Sequence, residues 1–231
     1  MPDSAAVPVV FVVIAAYNEG TAIGDVVSEL RAAYSNVVVV DDGSVDATSA
    51  AAEEAGAIVL RHIVNRGQGA ALQTGLSHAR LAGADVVVTF DADGQHRVAD
   101  IESLLGALAA NGGGVALGSR FLGSTENMSL GRRALLKGAV LFSRVTSGLP
   151  VTDAHNGLRA LSSQAVAHIH LRLDRMAHAS EFLDQIRRSG VQFTEVPVHI
   201  RYTDYSKAKG QGPGAAIRIL FDYLMARLVG S

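Results

Sequence analysis

The stretch Val86-Val87-Val88-Thr89-Phe90-Asp91-Ala92-Asp93-Gly94-Gln95-His96 reads as a buried strand that ends in a cluster of carboxylates. Its β-branched half does not alternate apolar with polar residues, as expected of a strand covered on both faces of a sheet. Four further runs, over 7–15, 37–40, 57–60 and 115–117, have the same character. Between the five lie helical stretches over 21–33, 46–55, 69–82 and 98–110. In the first, Ile23, Val26, Val27 and Leu30 mark one helix face. Strand and helix alternate, so the fold is α/β, with a mostly parallel, βαβ-built sheet flanked by helices.

Downstream of residue 120 the rhythm changes. Helices are expected over 131–146, 163–169 and 177–189, an extended segment over 156–161 and a long alternating strand over 191–200. A polar, glycine-rich loop follows at 202–214, and an amphipathic helix at 215–229 has Ile217, Leu220, Phe221, Leu224 and Leu228 on one stripe. With no linker, repeat or low-complexity tract, 1–231 reads as a single domain with a modified C-terminal half.

Composition narrows the function. The 231 residues are 48% apolar and 18% charged, which excludes disorder, and the absence of cysteine excludes disulfides, thiolate metal sites and a cysteine nucleophile. A formal net charge of -2 leaves no global basic field for nucleic acid. Met1-Pro2-Asp3-Ser4 lacks the basic start of a signal peptide, and no apolar run approaches the ~18 residues of a membrane span. A cytoplasmic protein is expected, touching a membrane only from its surface, at the cytoplasmic face.

In parallel α/β sheets, ligands sit beyond the carboxyl ends of the strands. Polar clusters fall at all five of these ends: Tyr17-Asn18-Glu19, Asp41-Asp42-Gly43-Ser44, Asn65-Arg66-Gly67, Asp91 to His96, and Gly118-Ser119-Arg120. Asp91 and Asp93, two residues apart in extended chain, point to one side. Such a pair repels itself unless a cation lies near, and a hard divalent ion suits it, with Gln95 adding an amide oxygen. Asp41 and Asp42 project to opposite sides, so one can face the cleft and accept from a nucleobase or ribose, while Asp46 caps the next helix. Gly67-x-Gly69 lacks the dinucleotide spacing and reads as a close helix–strand approach, with Arg66 as a ligand contact.

The helix at 131–146 places Arg133, Lys137 and Arg144 within about 40° of one another, and no acid occurs from Arg132 to Thr152. Leu135, Leu136, Ala139 and Phe142 form its other side. A basic stripe beside an apolar one suits an anionic amphiphile or a membrane headgroup layer. Arg201 and Lys207 flank a Gly-rich loop of the kind that forms lids. The eight histidines show no metal spacing; His168 and His170 are expected at the surface, and His96 no nearer a metal than behind its ligands.

These motifs resemble those of family 2 glycosyltransferases of the GT-A fold. The resemblance rests on Ala15-Ala16-Tyr17-Asn18-Glu19, Asp41-Asp42-Gly43-Ser44, Asp91-Ala92-Asp93-Gly94-Gln95-His96 and Gly118-Ser119-Arg120. The downstream half is similar to dolichyl-phosphate mannose synthases and other polyprenyl-phosphate glycosyltransferases. There it rests on Arg132-Arg133-Ala134-Leu135-Leu136-Lys137, Asp153, Gly157-Leu158-Arg159, Glu181, Val196-Pro197 and Arg201 ahead of Ser206-Lys207. The resemblance implies a nucleotide-sugar-binding half over 1–120 and an acceptor half over 121–231. It implies inverting transfer of a hexose from a GDP- or UDP-sugar with Mg²⁺ or Mn²⁺. Asp93 and Gln95 would hold the metal with Asp91 beside it. Ala15, Tyr17, Glu19, Asp41, Asp42, Arg66, Ala92 and Arg120 would contact the donor, and Arg201 and Lys207 would close on its diphosphate. Arg132, with Arg133 and Lys137, would meet the lipid phosphate. The chain departs from the pattern in Ala15, where a proline is common, in Leu136, where some relatives use a serine, and in lacking the membrane-spanning C-terminal helices of many relatives.

The chemistry of the two acceptor classes differs. A phosphate with a second pKa near 6 is already ionised and needs only cations to position it. A saccharide hydroxyl, the alternative acceptor, needs a base, for which Glu181 and Asp153 are the candidates. A non-catalytic nucleotide-sugar or lipid-phosphate binding module is the third reading, against which the intact Asp91, Asp93 and Gln95 set argues.

Overall fold

The computed structural model describes residues 7–173 and 178–202. The loop at 203–214 with Lys207, and the helix expected at 215–229, lie outside the described residues. Strand β1 (Val10–Ala16) pairs in parallel with β2 (Asn36–Asp41) on one side and β4 (Val86–Asp91) on the other, and β2 pairs in parallel with β3 (Ile58–Arg61). Helices α1 (Ile23–Arg31), α2 (Thr48–Glu54), α3 (Gln68–Leu81) and α4 (Ala99–Ala110) connect and follow them. Side chains alternate across each strand. Phe11, Val13, Val38 and Val40 therefore join α3 and the downstream helices in one core layer, while Val12, Ile14, Val37 and Val39 join α1 and α4 in the other. The edge strand β3 departs from the two-face pattern: it has one neighbour, and Ile58 is exposed.

The sheet order is β3-β2-β1-β4-β6-β5-β7. The chain builds outward from β1 to β3 and then crosses to β4 on the other side. That reversal opens a crevice between the carboxyl ends of β1 and β4, and there Ala15 stands in register with Asp91.

The second half completes the same sheet. Strand β5 (Val115–Glu126) is followed by α5 (Leu130–Ser147), β6 (Arg159–Ser162), α6 (Ser163–His168), α7 (His178–Ser189) and β7 (Phe193–Arg201). Strand β6 is the one antiparallel member among the described strands, wedged between β4 and β5. Strand β5 runs far past the apolar 115–117, because its polar continuation keeps pairing with β7 beyond a register shift between Ser119 and Ser124. No helix among the described residues is long and apolar enough to cross a membrane.

Helix α3 lies close on β1 and β2. The close approach expected at Gly69 is instead to the carbonyl of Leu173, and it is Gly75, deeper in α3, that rests on the strands. A Cβ at Gly75 would sit 2.2 Å from Val13 Cγ1. Gly75→Ala should therefore lower stability by about 1–3 kcal/mol through overpacking, read as a lower denaturation midpoint with an unchanged denaturant slope.

Candidate active site

The crevice at the end of β4 is built around Asp91. Its carboxylate accepts from or pairs with His96 Nε2 at 2.8 Å, and His96 is itself buried, edge-on to Phe90, with a β-bridge to Ile200. On the other side the carboxylate lies over Gly157, where a Cβ would come within 2.1 Å of it. Thr89 Oγ1 holds Gly157 by donating to its carbonyl at 2.6 Å. Behind stands Arg159, buried between β4 and β5, its Nε donating to the Asn156 carbonyl and its guanidinium 4.4 Å from the centre of the Phe182 ring.

Two carboxylates in one crevice titrate apart. Burial pushes Asp91 up, but the hydrogen bond and charge of His96, with the guanidiniums of Arg159 and Arg120, outweigh it and hold Asp91 below the usual range. Burial and the charge of Asp91 push Asp93 up to about 6, against a backbone hydrogen bond from Gln95, and Glu19 adds its charge from the neighbouring loop. Burial also draws Arg159 down to about 10, against the pull of Asp91 and Asp153.

This surplus of negative charge on hard oxygens fits a Mg²⁺ or Mn²⁺ ion. No group of three or more His, Asp or Glu able to hold a metal forms among the described residues. Asp91 and Asp93 would thus supply only part of such an ion's ligands. Gln95 departs from the expected arrangement: its backbone N–H and its side-chain Nε2 both donate to Asp93, the latter at 2.6 Å, so the amide nitrogen faces the carboxylate.

The rim expected to meet a nucleoside is arranged differently from that expectation. Asp41 and Asp42 are both closed off from solvent. Asp41 accepts from Ser44 N at 2.8 Å and from Ser49 Oγ. Asp42 binds His62 at 2.7 Å and accepts from the N–H groups of Arg66 and Gly67. Neither therefore faces the cleft as expected, because turn N–H groups left without sheet partners take up their lone pairs. Asp46 accepts from Thr48 N one residue ahead of the cap position of α2, and from Gly20 N. Tyr17 is 43% exposed, Arg66 is exposed, and Glu19 and Ala92 are buried.

A third group forms at the end of β5. Arg120 is buried, its Nε 2.5 Å from Asp153 and its Nη1 donating to Tyr202 Oη at 2.9 Å. Burial alone would lower the Arg120 pKa, but Asp153 and Tyr202 raise it instead. Glu195 takes the N–H groups of Thr152 and Asp153 and so fixes the Asp153 loop. Arg120 and Arg133 line a cavity of ≈ 190 Å³ with Phe121, Gly123, Thr125 and Met128.

Helix α5 divides the cations expected to act together. Arg133, Lys137 and Arg144 are exposed, whereas Arg132 is half-buried with its guanidinium 4.7 Å from the centre of the Tyr202 ring. The buried side of α5 is Val140, Ser143 and Ser147; on the apolar side expected beside the cations, Leu135 is exposed and Leu136, Ala139 and Phe142 are half-buried. The solvent face carries Leu130, Leu141 and Val145 among the cations.

Both candidate bases are committed elsewhere. Asp153 is paired with Arg120, and Glu181 accepts the N–H groups of Arg172 and Leu173 at 2.9–3.0 Å. Arg201 is exposed, and its N–H donates to the Gln95 carbonyl. The sequence reading did not single out His155, Glu195 or Tyr202, and gave Arg159 no role. Arg159 alone carried a signal, a charge inside the apolar run 158–161.

Comparison with known proteins identifies the family. Residues 11–169 match the model of glycosyl transferase family 2. The chain is 33% identical to a UDP-N-acetylglucosamine–dolichyl-phosphate N-acetylglucosaminyltransferase of Methanococcus voltae, over 95% of this chain and 96% of that protein. It is 31% identical to the polyprenol monophosphomannose synthase of Mycolicibacterium smegmatis, over 90% and 82% of the two chains. Among solved structures it superposes on the glucosyl-3-phosphoglycerate synthase of Mycobacterium tuberculosis in complex with Mn²⁺ and UDP-glucose. That match has a TM-score of 0.71 at 22% identity, over 95% of this chain and 79% of that one. Strand order, crevice and family match together place the chain in glycosyl transferase family 2, as a glycosyltransferase of the GT-A fold.

Proposed function

We propose that the protein transfers a hexose, with inversion, from a GDP- or UDP-sugar to a polyprenyl phosphate. The observations that carry this reading are the cavity lined by Arg120 and Arg133 and the engagement of the candidate bases Asp153 and Glu181. A saccharide hydroxyl would need a base to take its proton. Asp153 is held by Arg120, Glu181 by backbone N–H groups, and His155 is drawn down to about 4 by its burial, too low to serve near neutral pH. An ionised phosphate needs cations alone, and the cavity offers the exposed Arg133 together with Arg120, whose charge is shared with Asp153. The relatives named for dolichyl-phosphate and polyprenol substrates point the same way.

In this reading Asp91 and Asp93, with Gln95 beside them, would hold a Mg²⁺ or Mn²⁺ ion, which would supply positive charge against the diphosphate leaving group. His96, Gly157 and Arg159 keep Asp91 ionised and in place. Ala15, Tyr17, Glu19, Ala92 and Arg66 line the nucleoside pocket, whose walls Asp41 and Asp42 brace, and Arg201 and Lys207 meet the diphosphate. Arg120, Arg132, Arg133 and Lys137 receive the acceptor phosphate. The whole of 1–231 acts as one domain, docked on the cytoplasmic face of the membrane by the solvent face of α5, where apolar and cationic side chains alternate.

The test is the pair Arg133→Glu and Lys137→Glu. Each cation near an anionic surface is worth about 1 kcal/mol, so the double variant should bind anionic vesicles about 30-fold or more weakly. Transfer to polyprenyl phosphate should fall with it, at unchanged nucleotide affinity. Equal loss of nucleotide binding, or lipid glycosylation at the parent rate, would refute the acceptor role, and transfer to a free saccharide would favour the hydroxyl reading.

A further inference from the structure

Arg120 and Arg132 come from different elements, the end of β5 and the first turn of α5, yet both terminate on one side chain. Tyr202 is 2% exposed. Its hydroxyl accepts from Arg120 Nη1 at 2.9 Å, and its ring lies 4.7 Å from the Arg132 guanidinium carbon. The backbone at this point is also held on two sides. Arg201 N donates to the Gln95 carbonyl at 3.0 Å and Tyr202 N to the Glu126 carbonyl at 3.2 Å, while Ile200 bridges to His96. The residue that touches both cations thus has its own N–H on β5, while the two residues before it, Ile200 and Arg201, tie the chain to the loop carrying Asp93 and Gln95.

We propose that Tyr202 is a positioning residue for the acceptor, setting Arg120 and Arg132 at the spacing that receives the phosphate and registering them against the donor loop. This rests on the polyprenyl-phosphate reading above. Two neighbouring guanidiniums repel each other and need something between them. A carboxylate there would neutralise both and compete with the incoming phosphate. A tyrosine attracts one cation through its ring face and the other through its hydroxyl oxygen while carrying no charge. Asp153 already balances Arg120, so the positive charge of Arg132 stays available to the ligand.

The test measures KM and kcat separately for donor and for a short-chain polyprenyl phosphate in detergent micelles, using the full chain and the nucleotide-sugar that the parent turns over. Tyr202→Phe removes only the contact to Arg120 and should raise the acceptor KM about tenfold. Tyr202→Leu removes both contacts and should raise it by roughly 100-fold. The donor KM should stay within about twofold in each, because neither substitution alters the backbone bonds that hold the Asp93–Gln95 loop. In an Arg132→Ala background, Tyr202→Leu should cost no more than Tyr202→Phe, since the ring then has no cation to hold. A role in core packing alone would lower the melting temperature and affect both substrates, with no such coupling, and would overturn the proposal. Tyr202→Phe keeps the ring and the packing, so it decides the matter even if the leucine variant does not fold. An unchanged acceptor KM in Tyr202→Phe, with the parent active on polyprenyl phosphate, refutes the proposal alone. A parent inactive on polyprenyl phosphate refutes the acceptor reading and this proposal with it.

Discussion

Replacing Asp93 with alanine is expected to abolish sugar transfer, at least 1,000-fold on the scale of losing a charge-stabilising group from a catalytic site, while the protein still folds. The side chain is partly solvent-accessible and its hydrogen bonds are to Gln95 on its own loop, so the fold should survive its loss. Transfer near the parent rate, or full parent activity in excess chelator, would remove the metal role. The raised pKa of Asp93 gives an independent measurement. Its folded value of about 6 lies above its ordinary 3.8. Without metal, the stability tied to the protonated form is therefore fully present below about pH 4 and lost as pH rises through about 6. At pH 8 and without metal, Asp93→Asn should unfold at higher denaturant than the parent. The gain is on the order of 1–2 kcal/mol once solvent screening is allowed for, and it should vanish at pH 4. A divalent ion must displace the same proton, so Mn²⁺ affinity should weaken about tenfold per pH unit below pH 6. A pH-independent affinity between 5 and 7 would contradict this.

Gly157→Ala is expected to lower kcat by about 100-fold or more without touching any ligand. The new Cβ would lie 2.1 and 2.3 Å from the two carboxylate oxygens of Asp91. The backbone there cannot retreat freely, because Thr89 Oγ1 anchors the Gly157 carbonyl. Asp91 must therefore move and break its contact with His96, and misplacement of a catalytic group by about 1 Å costs on the order of 100-fold in rate. Mn²⁺ binding followed by paramagnetic resonance should weaken in parallel. A stability loss of about 1–3 kcal/mol accompanies the strain, small enough that circular dichroism should report a folded protein. Activity within threefold of the parent would show that Asp91 tolerates displacement and that its seat over Gly157 has no functional weight.

Much of this architecture is local and therefore legible in the chain. The β-branched runs around Val12, Val38 and Val88 and the helical spacing of Ile23, Val26, Val27 and Leu30 report which faces are buried, since burial imposes its period on neighbouring residues. The carboxylates of Asp91 and Asp93 fall at a strand end because the run of valines before them ends there. The antiparallel insertion of β6, the extension of β5 and the exposure of β3 are not local. Each depends on which strand lies alongside, and a sequence segment does not carry its neighbour.

The same distinction divides the site. That Asp91, Asp93, Arg120 and Asp153 are candidates for the site follows from their types and positions in the chain. What each one does is decided by partners remote in sequence. Arg120 reaches Tyr202 across 82 residues, and Thr152 reaches Glu195 across 43. Asp42 turns inward to the N–H groups of Arg66 and Gly67, and Glu181 to those of Arg172 and Leu173. An ionisable side chain advertises its chemistry locally. Whether it stays charged, faces a ligand or is spent on a backbone amide depends on what the fold brings within about 3 Å of it, and tertiary packing alone determines that.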